Sequence, residues 1–147
     1  MAKVLPPTCL WMAIALAVAL HFLYPAATIL PFPWRWAGIV PAAIGIALNL
    51  VADRQFKRRG TTVKPFERST ALVTDGAFGI SRNPMYLGMV MIVAGVAIFA
   101  GSATPWIAAA GLALLLDRVF IVPEEASLAA SFGIDFQRYR QRVRRWI

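Results

Sequence analysis

Charged residues are missing from two long stretches of this chain, and those stretches set out its architecture. No Lys, Arg, Asp or Glu occurs between Lys3 and Arg35, nor from Asn83 to Leu116. A helix needs about 20 mainly apolar residues to cross a bilayer. The first stretch predicts one span from about Val4 to Tyr24, followed by Trp34 and Trp36 as interfacial anchors. A second apolar run, Ala37 to Ala52, ends at Asp53. The third stretch is interrupted by Gly101-Ser102-Ala103-Thr104-Pro105, which reads as a tight turn between spans at Pro84 to Ala100 and Pro105 to Val122. The pattern predicts an all-α integral membrane bundle of about four transmembrane helices.

Past the last span the periodicity changes. Leu128, Phe132, Phe136, Tyr139, Val143 and Trp146 recur at spacings of four, four, three, four and three. They form one face of a C-terminal amphipathic helix, with most arginines elsewhere and Gly133 as a point of interruption. Such a basic segment suits the headgroup surface, or folds back as a lid. The whole chain, residues 1–147, reads as a single domain, with N-terminal spans in 1–59 and the remaining motifs in 60–147.

Composition narrows the class. Hydrophobic residues make up 59% of the chain and charged residues only 15%, so most helix faces cannot be meeting water. The apolar excess excludes disorder, and the lone Cys9 excludes a disulfide framework. A net charge of +8 raises nucleic acid as a partner, but a nucleic-acid binder is not expected to be this apolar. The cations are also sorted. Arg54, Lys57, Arg58, Arg59, Lys64, Arg68 and Arg82 lie between spans two and three, and Arg138, Arg140, Arg142, Arg144 and Arg145 lie beyond span four. The other two connections carry only Arg35. The positive-inside rule then predicts a multi-pass protein with both termini and any site beside these cations facing the cytoplasm. A cleaved signal peptide fits poorly, because Pro6-Pro7 opens the first run and no clear small-residue cleavage site precedes a soluble domain.

A few polar residues sit where an apolar bundle needs a reason for them. In Arg82-Asn83-Pro84-Met85-Tyr86, Asn83 is a favoured N-cap and Pro84 a favoured first helical residue. Span three would start there with free N–H groups that attract anions, and Arg82 adds positive charge. Gly88, Met91 and Gly95 leave a face of little bulk where a flat ligand or another helix could approach. The structural alternative is a well-capped helix with a snorkelling arginine and a packing face. Pro123-Glu124-Glu125 places two carboxylates at a membrane boundary. They either complement a helix dipole and pair with C-terminal arginines, or meet a cationic or hydroxyl-bearing partner.

Asp117 and Arg118, being adjacent on a helix, do not share a face, so each should have another partner or reach the interface. Asn49 and Asp53 share a face of span two. His21 reads as interfacial or packed, and without other ligating residues nearby it is poor evidence for a metal. Cys9 reads as a small packed residue. No Ser-His-Asp set, paired-His motif, P-loop or Gly-rich dinucleotide turn occurs, which excludes most hydrolase and kinase chemistry. The turn-rich stretch from Gly60 to Gly79 retains aromatic residues and reads as an ordered loop able to cover a site.

Taken together, these motifs resemble the isoprenylcysteine carboxyl methyltransferase and phospholipid methyltransferase family of integral-membrane enzymes. The resemblance runs from Gly60 to the C-terminus. It rests on Thr62-Val63-x-Pro65, Leu72-Val73-Thr74-x-Gly76 and Ser81-Arg82-Asn83-Pro84-Met85-Tyr86-x-Gly88. Glu124-Glu125-x-x-Leu128 and Phe132-Gly133-x-x-Phe136-x-x-Tyr139-x-x-x-Val143-x-Arg145-Trp146 complete it. Family members commonly carry Arg-His-Pro-x-Tyr, so Asn83 stands where an imidazole is usual.

The resemblance implies an S-adenosyl-L-methionine-dependent methyltransferase in a prokaryotic cell membrane, acting on a lipophilic acceptor. The acceptor would be an isoprenylcysteine-like carboxylate, with a phospholipid amine or a small thiol as alternatives. It implies donor contacts from Arg82, Asn83, Pro84, Tyr86, Gly88, Glu124, Glu125 and Tyr139, and catalytic roles for Glu124, Glu125 and Arg138. The residue chemistry suits that donor. Arg82 and the start of span three fit its carboxylate, and Glu124 or Glu125 fits its ammonium or ribose. Transfer from an activated sulfonium needs placement and water exclusion more than a strong acid or base. A non-catalytic helical protein whose basic tail binds anionic lipid is the rival from another class.

Overall fold

The structure, a computed structural model, describes residues 5–58, 60 and 71–147. The Thr62-Val63-x-Pro65 motif and the cations Arg59, Lys64 and Arg68 lie outside the described residues, as does half of the expected Gly60-to-Gly79 loop. Every regular element among the described residues is helical: α1 (Pro6–Leu23), a 3-10 turn (Trp34–Gly38), α2 (Ile39–Arg58), a short 3-10 turn (Gly76–Gly79), α3 (Pro84–Ala100), α4 (Pro105–Leu115), a π-helical segment (Leu116–Ile121) and α5 (Val122–Arg142).

Among the described residues, three continuous helical runs are long and apolar enough to cross a membrane: Pro6–Leu23, Trp34–Arg58 and Pro105–Arg142. The fourth apolar helix, α3, has 17 residues. Trp11, Phe22, Leu23, Ile107 and Leu114 are all more than 60% exposed. So much outward apolar surface is untenable in water and is what lipid tails require.

Helix boundaries follow local chemistry. Pro84 and Pro105 open α3 and α4, where their missing N–H groups are not needed. Gly101 closes α3 in the left-handed region at φ 74°, and its N–H donates to the Ala97 carbonyl. Its site admits no side chain, because a Cβ there would strike the Arg35 guanidinium and the Leu30 carbonyl. Span two runs further than the expected Ala52. Lys57 pairs with Asp53 at 2.6 Å, one turn apart, and carries the helix through Arg58.

Pro123 follows the expected end of span four at Val122, and one reading of Glu124 and Glu125 has them complementing the dipole of a free helix start. Instead α4 continues into α5 through the π-helical segment, and Ile121, preceding α5, is itself helical at φ −65° and ψ −48°. A proline inside a helix removes a donor and crowds the preceding turn, and the wider π turns accommodate it. The two glutamates therefore sit within a continuous helix, and their partners are side chains. Gly133 breaks α5 at φ 50° and ψ −116°.

α3 is the central helix. Against α1 and α4 it packs small and medium side chains: Cys9, Ala13 and Ala17 meet Met89, Val93, Ala108, Ala109 and Leu112. On α2 it packs backbone to backbone. A Cβ on Gly95 would lie 2.6 Å from the Gly38 carbonyl, and one on Gly88 2.5 Å from the Gly45 carbonyl. The low-bulk face of Gly88 is thus filled by a helix, α2, and its glycines permit the approach.

Candidate functional site

One end of the bundle collects the start of α1, the start of α3, the start of α5 and the C-terminal segment. Beyond Arg142 the chain leaves the helix, with Val143 extended at φ −121° and ψ 130°. It then runs back across the start of α3. The Arg144 carbonyl accepts from the Arg82 backbone N–H at 3.0 Å. The Arg145 carbonyl accepts from the Ser81 hydroxyl at 3.3 Å and the Asn83 amide at 3.0 Å. Asn83 occupies the N-cap position but its side chain makes no capping hydrogen bond, because the amide is turned to this tail.

Arg82 lies beneath the tail with only 7% of its side chain exposed. One terminal nitrogen, Nη2, donates to Glu125 Oε1 at 2.8 Å. The other, Nη1, donates to the carbonyls of Arg140 and Val143 at 3.2 and 3.3 Å. Its Nε is buried without a hydrogen-bond partner among the described residues. A buried guanidinium donor left unmatched is costly, and such an atom marks a position that a polar ligand can satisfy.

Glu125 is shared by two arginines. Arg145 approaches from the other side, with Nη2 at 2.7 Å from Oε2, and also reaches Asp117 Oδ1 at 3.2 Å. Glu125's hydrogen bonds, with smaller help from Asp117, hold the Arg145 guanidinium above its usual range. Arg82, Arg145, Asp117 and Glu125 form a charge-balanced set. Arg118 is largely exposed and only 3.8 Å from Asp117. Glu124 adds a carboxylate beside this set, and its Oε2 accepts from the Tyr86 hydroxyl at 3.1 Å. No other hydrogen bond reaches the Glu124 side chain among the described residues.

Two cavities adjoin Arg82. The larger, about 220 Å³, opens between α1 and α3 and is lined by Leu5, Pro6, Pro7, Phe78, Arg82, Asn83, Pro84, Met85, Tyr86 and Met89. The smaller, about 30 Å³, lies between Arg82, Leu128 and Tyr139. Buried Tyr139 donates to the Phe78 carbonyl at 2.6 Å, and burial pushes its hydroxyl up to about 12, against a smaller opposing effect from Arg82. The apolar face of α5 thus folds back: Phe136, Tyr139 and Val143 cluster with Leu72, Leu128 and Phe132.

The structure therefore brings together Arg82, Asn83, Pro84, Tyr86, Glu124, Glu125 and Tyr139. It leaves out two expected residues. Gly88 faces α2, and Arg138 is exposed on the turn of α5 that carries Tyr139 inward. Arg145 is the member of the C-terminal arginines, expected as a group to pair with the glutamates, that does so with Glu125, although sequence reasoning assigned it no individual role beyond closing the quoted motif. Its approach depends on the chain turning back after Arg142, which helical spacing does not predict.

Comparison with known proteins agrees with this architecture. Residues 33–135 match the family described as phospholipid methyltransferase. The match begins in the turn before α2, well ahead of Gly60, and ends within α5. An uncharacterized protein of Haemophilus influenzae is 32% identical over 63 residues, which is 43% of this chain and 100% of that protein. No solved structure matches the chain. With the family match covering well over half of its length, the chain belongs to the phospholipid methyltransferase family of membrane methyltransferases.

Proposed function

We propose that the Arg82–Glu124 end of the bundle binds S-adenosyl-L-methionine, and that the cavity between α1 and α3 presents a lipophilic acceptor to its methyl group. The observation that carries this reading is the buried Nε of Arg82, without a partner among the described residues, at the wall of an apolar cavity, with the Tyr86–Glu124 pair, drawn from α3 and α5, beside it. A zwitterionic sulfonium donor needs an anion-binding and a cation-binding group close together within a dry pocket.

In this assignment Arg82 holds the donor's carboxylate. Glu124, oriented by the Tyr86 hydroxyl, holds the ammonium or a ribose hydroxyl. Asn83 and Pro84 shape the wall, and Tyr139 supports the loop carrying Phe78. The cavity of about 220 Å³ is smaller than a whole nucleoside-bearing donor requires. Arg82 must accordingly exchange some present partners, Glu125 and the tail carbonyls, for the ligand. Glu125 and Arg145 act by setting how readily that exchange happens.

When bound, the donor supplies an activated sulfonium methyl. An acceptor lone pair forms the new bond to that carbon as the carbon–sulfur bond breaks, and the electron pair stays on sulfur. The chain's contribution is alignment and exclusion of water, for which the apolar lining by Leu5, Pro6, Pro7, Met85 and Met89 is suited. A carboxylate acceptor needs no base, whereas an amine or thiol would pass its proton to Glu124. Clustering of Arg54, Lys57, Arg58 and the α5 arginines at this end favours a cytoplasmic orientation for the site.

Isothermal titration of the detergent-solubilised chain with S-adenosyl-L-methionine tests the reading. Saturable binding that weakens tenfold or more in Glu124→Gln and Arg82→Gln is expected, the scale of one lost charged hydrogen bond at about 1.5–3 kcal/mol. Folded protein that binds no donor would overturn it. Methyl-labelled donor incubated with membranes then separates ester, amine and thioether products.

A further inference from the structure

At the opposite end of the bundle, His21 Nδ1 lies 2.8 Å from the Ser102 hydroxyl, and the Thr104 hydroxyl donates to the Leu20 carbonyl. The connection after α1 is tied to the α3–α4 turn by backbone bonds from Ile29 and Leu30 to the Gly101 carbonyl and from Ala103 to the Ala27 carbonyl. Between these elements lies a groove of about 300 Å³ lined by Val18, His21, Phe22, Arg35, Val96, Phe99 and Ala100.

Arg35 is held in place there. Its Nε donates to the Leu30 carbonyl at 2.9 Å, and the guanidinium lies against Gly101, where any side chain would displace it. Its terminal nitrogens have no partner among the described residues. Residues 24–38 and 101–104 contain no Asp or Glu and no other Lys or Arg, so the charge has no local counter-ion. A fixed, uncompensated guanidinium beside apolar walls matches an anionic headgroup joined to an acyl chain.

We propose that this groove binds an anionic phospholipid, with its phosphate on Arg35 and part of one acyl chain along Val18, Phe22, Val96 and Phe99. In a spanning bundle this end meets the leaflet remote from the candidate methyltransferase site, where phospholipid is the surrounding medium. Trp34 and Trp36, both more than half exposed, flank Arg35 at headgroup depth. The inference is independent of the proposed donor site.

Native mass spectrometry of the full chain in mild detergent, titrated with phosphatidylglycerol and with phosphatidylcholine of the same acyl chains, tests it. The first phosphatidylglycerol should bind about tenfold more tightly than phosphatidylcholine. That preference should disappear in Arg35→Gln. Val18→Trp, at a position already 42% exposed, should weaken binding comparably by filling the groove with the cation intact. Arg142→Gln at the basic end controls for general attraction to anionic lipid and should leave the first binding event unchanged. Wild-type affinity in Arg35→Gln would overturn the proposal. A loss in Arg35→Gln with none in Val18→Trp would also overturn it, by reducing the site to surface charge. Oleate binding as tightly as phosphatidylglycerol would assign the groove to a free fatty acid instead.

Discussion

Arg82 and Glu125, 43 residues apart in sequence, meet at 2.8 Å with side chains only 7% and 11% exposed. Buried ion pairs add little net stability over an apolar substitute, but removing one partner leaves the other charge stranded. Glu125→Gln strands Arg82 and takes from Arg145 its strongest contact. A loss of about 3 kcal/mol is expected, read as a fall in thermal midpoint in detergent. An unchanged midpoint would mean that the pair is solvated in the membrane.

Tyr86→Phe removes the one hydrogen bond that orients Glu124 among the described residues and keeps the ring that lies 6.2 Å from Phe120. Packing should be preserved. Donor affinity or methyl transfer should fall about tenfold, the cost of one hydrogen bond to a charged group. Equal kinetics in the two proteins would remove Glu124 from the donor site.

Much of this was legible in the chain because single residues fix it. Pro84, Gly101 and Pro105 mark boundaries by what their backbones permit, and α3 occupies the span read from them. The loss of charge between Asn83 and Leu116 marks the apolar helices. Pro123 opens no free helix as Pro84 and Pro105 do, because the π turns before it carry α4 straight into α5. The site was harder still. Tyr139 follows from the apolar period of α5, but Arg145 reaches Glu125 only because the chain becomes extended at Val143, and Arg138, one residue from Tyr139, points away. Tertiary return of a tail leaves no periodic trace.

Glycines separate the packed face of the bundle from the lipid face. Gly95→Ala would place a Cβ 2.6 Å from the Gly38 carbonyl and 2.8 Å from Ala42 Cβ, with backbone on both helices unable to yield. Overpacking of this kind should cost about 1–3 kcal/mol. Gly111→Ala meets nothing within 4 Å and should be neutral or stabilising by at most about 1 kcal/mol. Similar thermal midpoints for the two variants would contradict the α2–α3 contact.

Tyr139 should give the fold an alkaline limit. Burial, which penalises the charged form, raises its hydroxyl from 10.0 to about 12 against a smaller opposing effect from Arg82. A raised value favours the folded state below pH 10, and that contribution is lost as pH climbs through 10 to about 12. Tyr139→Phe should be less stable at neutral pH and should lose this part of the alkaline decline. An identical profile between pH 10 and 12 in the variant would place the transition elsewhere.

The motif resemblance makes histidine the expected residue at position 83, and the geometry shows what Asn83 does there. Its Nδ2 donates to the Arg145 carbonyl at 3.0 Å, while its backbone N–H is accepted by the Ser81 hydroxyl at 3.1 Å. An imidazole Nδ1 lies at the same bond separation from Cβ as the amide nitrogen and can carry the same proton. The shared requirement is then a donor that fastens the tail over Arg82. Asn83→His should keep thermal stability within about 0.5 kcal/mol and retain methyl transfer. Asn83→Leu, similar in size but unable to donate, should lose about 1–2 kcal/mol and leave the Arg145 carbonyl with only the longer hydrogen bond from the Ser81 hydroxyl. Limited proteolysis should then cut the C-terminal segment faster in Asn83→Leu than in Asn83→His. If both variants lose activity with the tail still protected, the position acts through the amide itself and not through the tail.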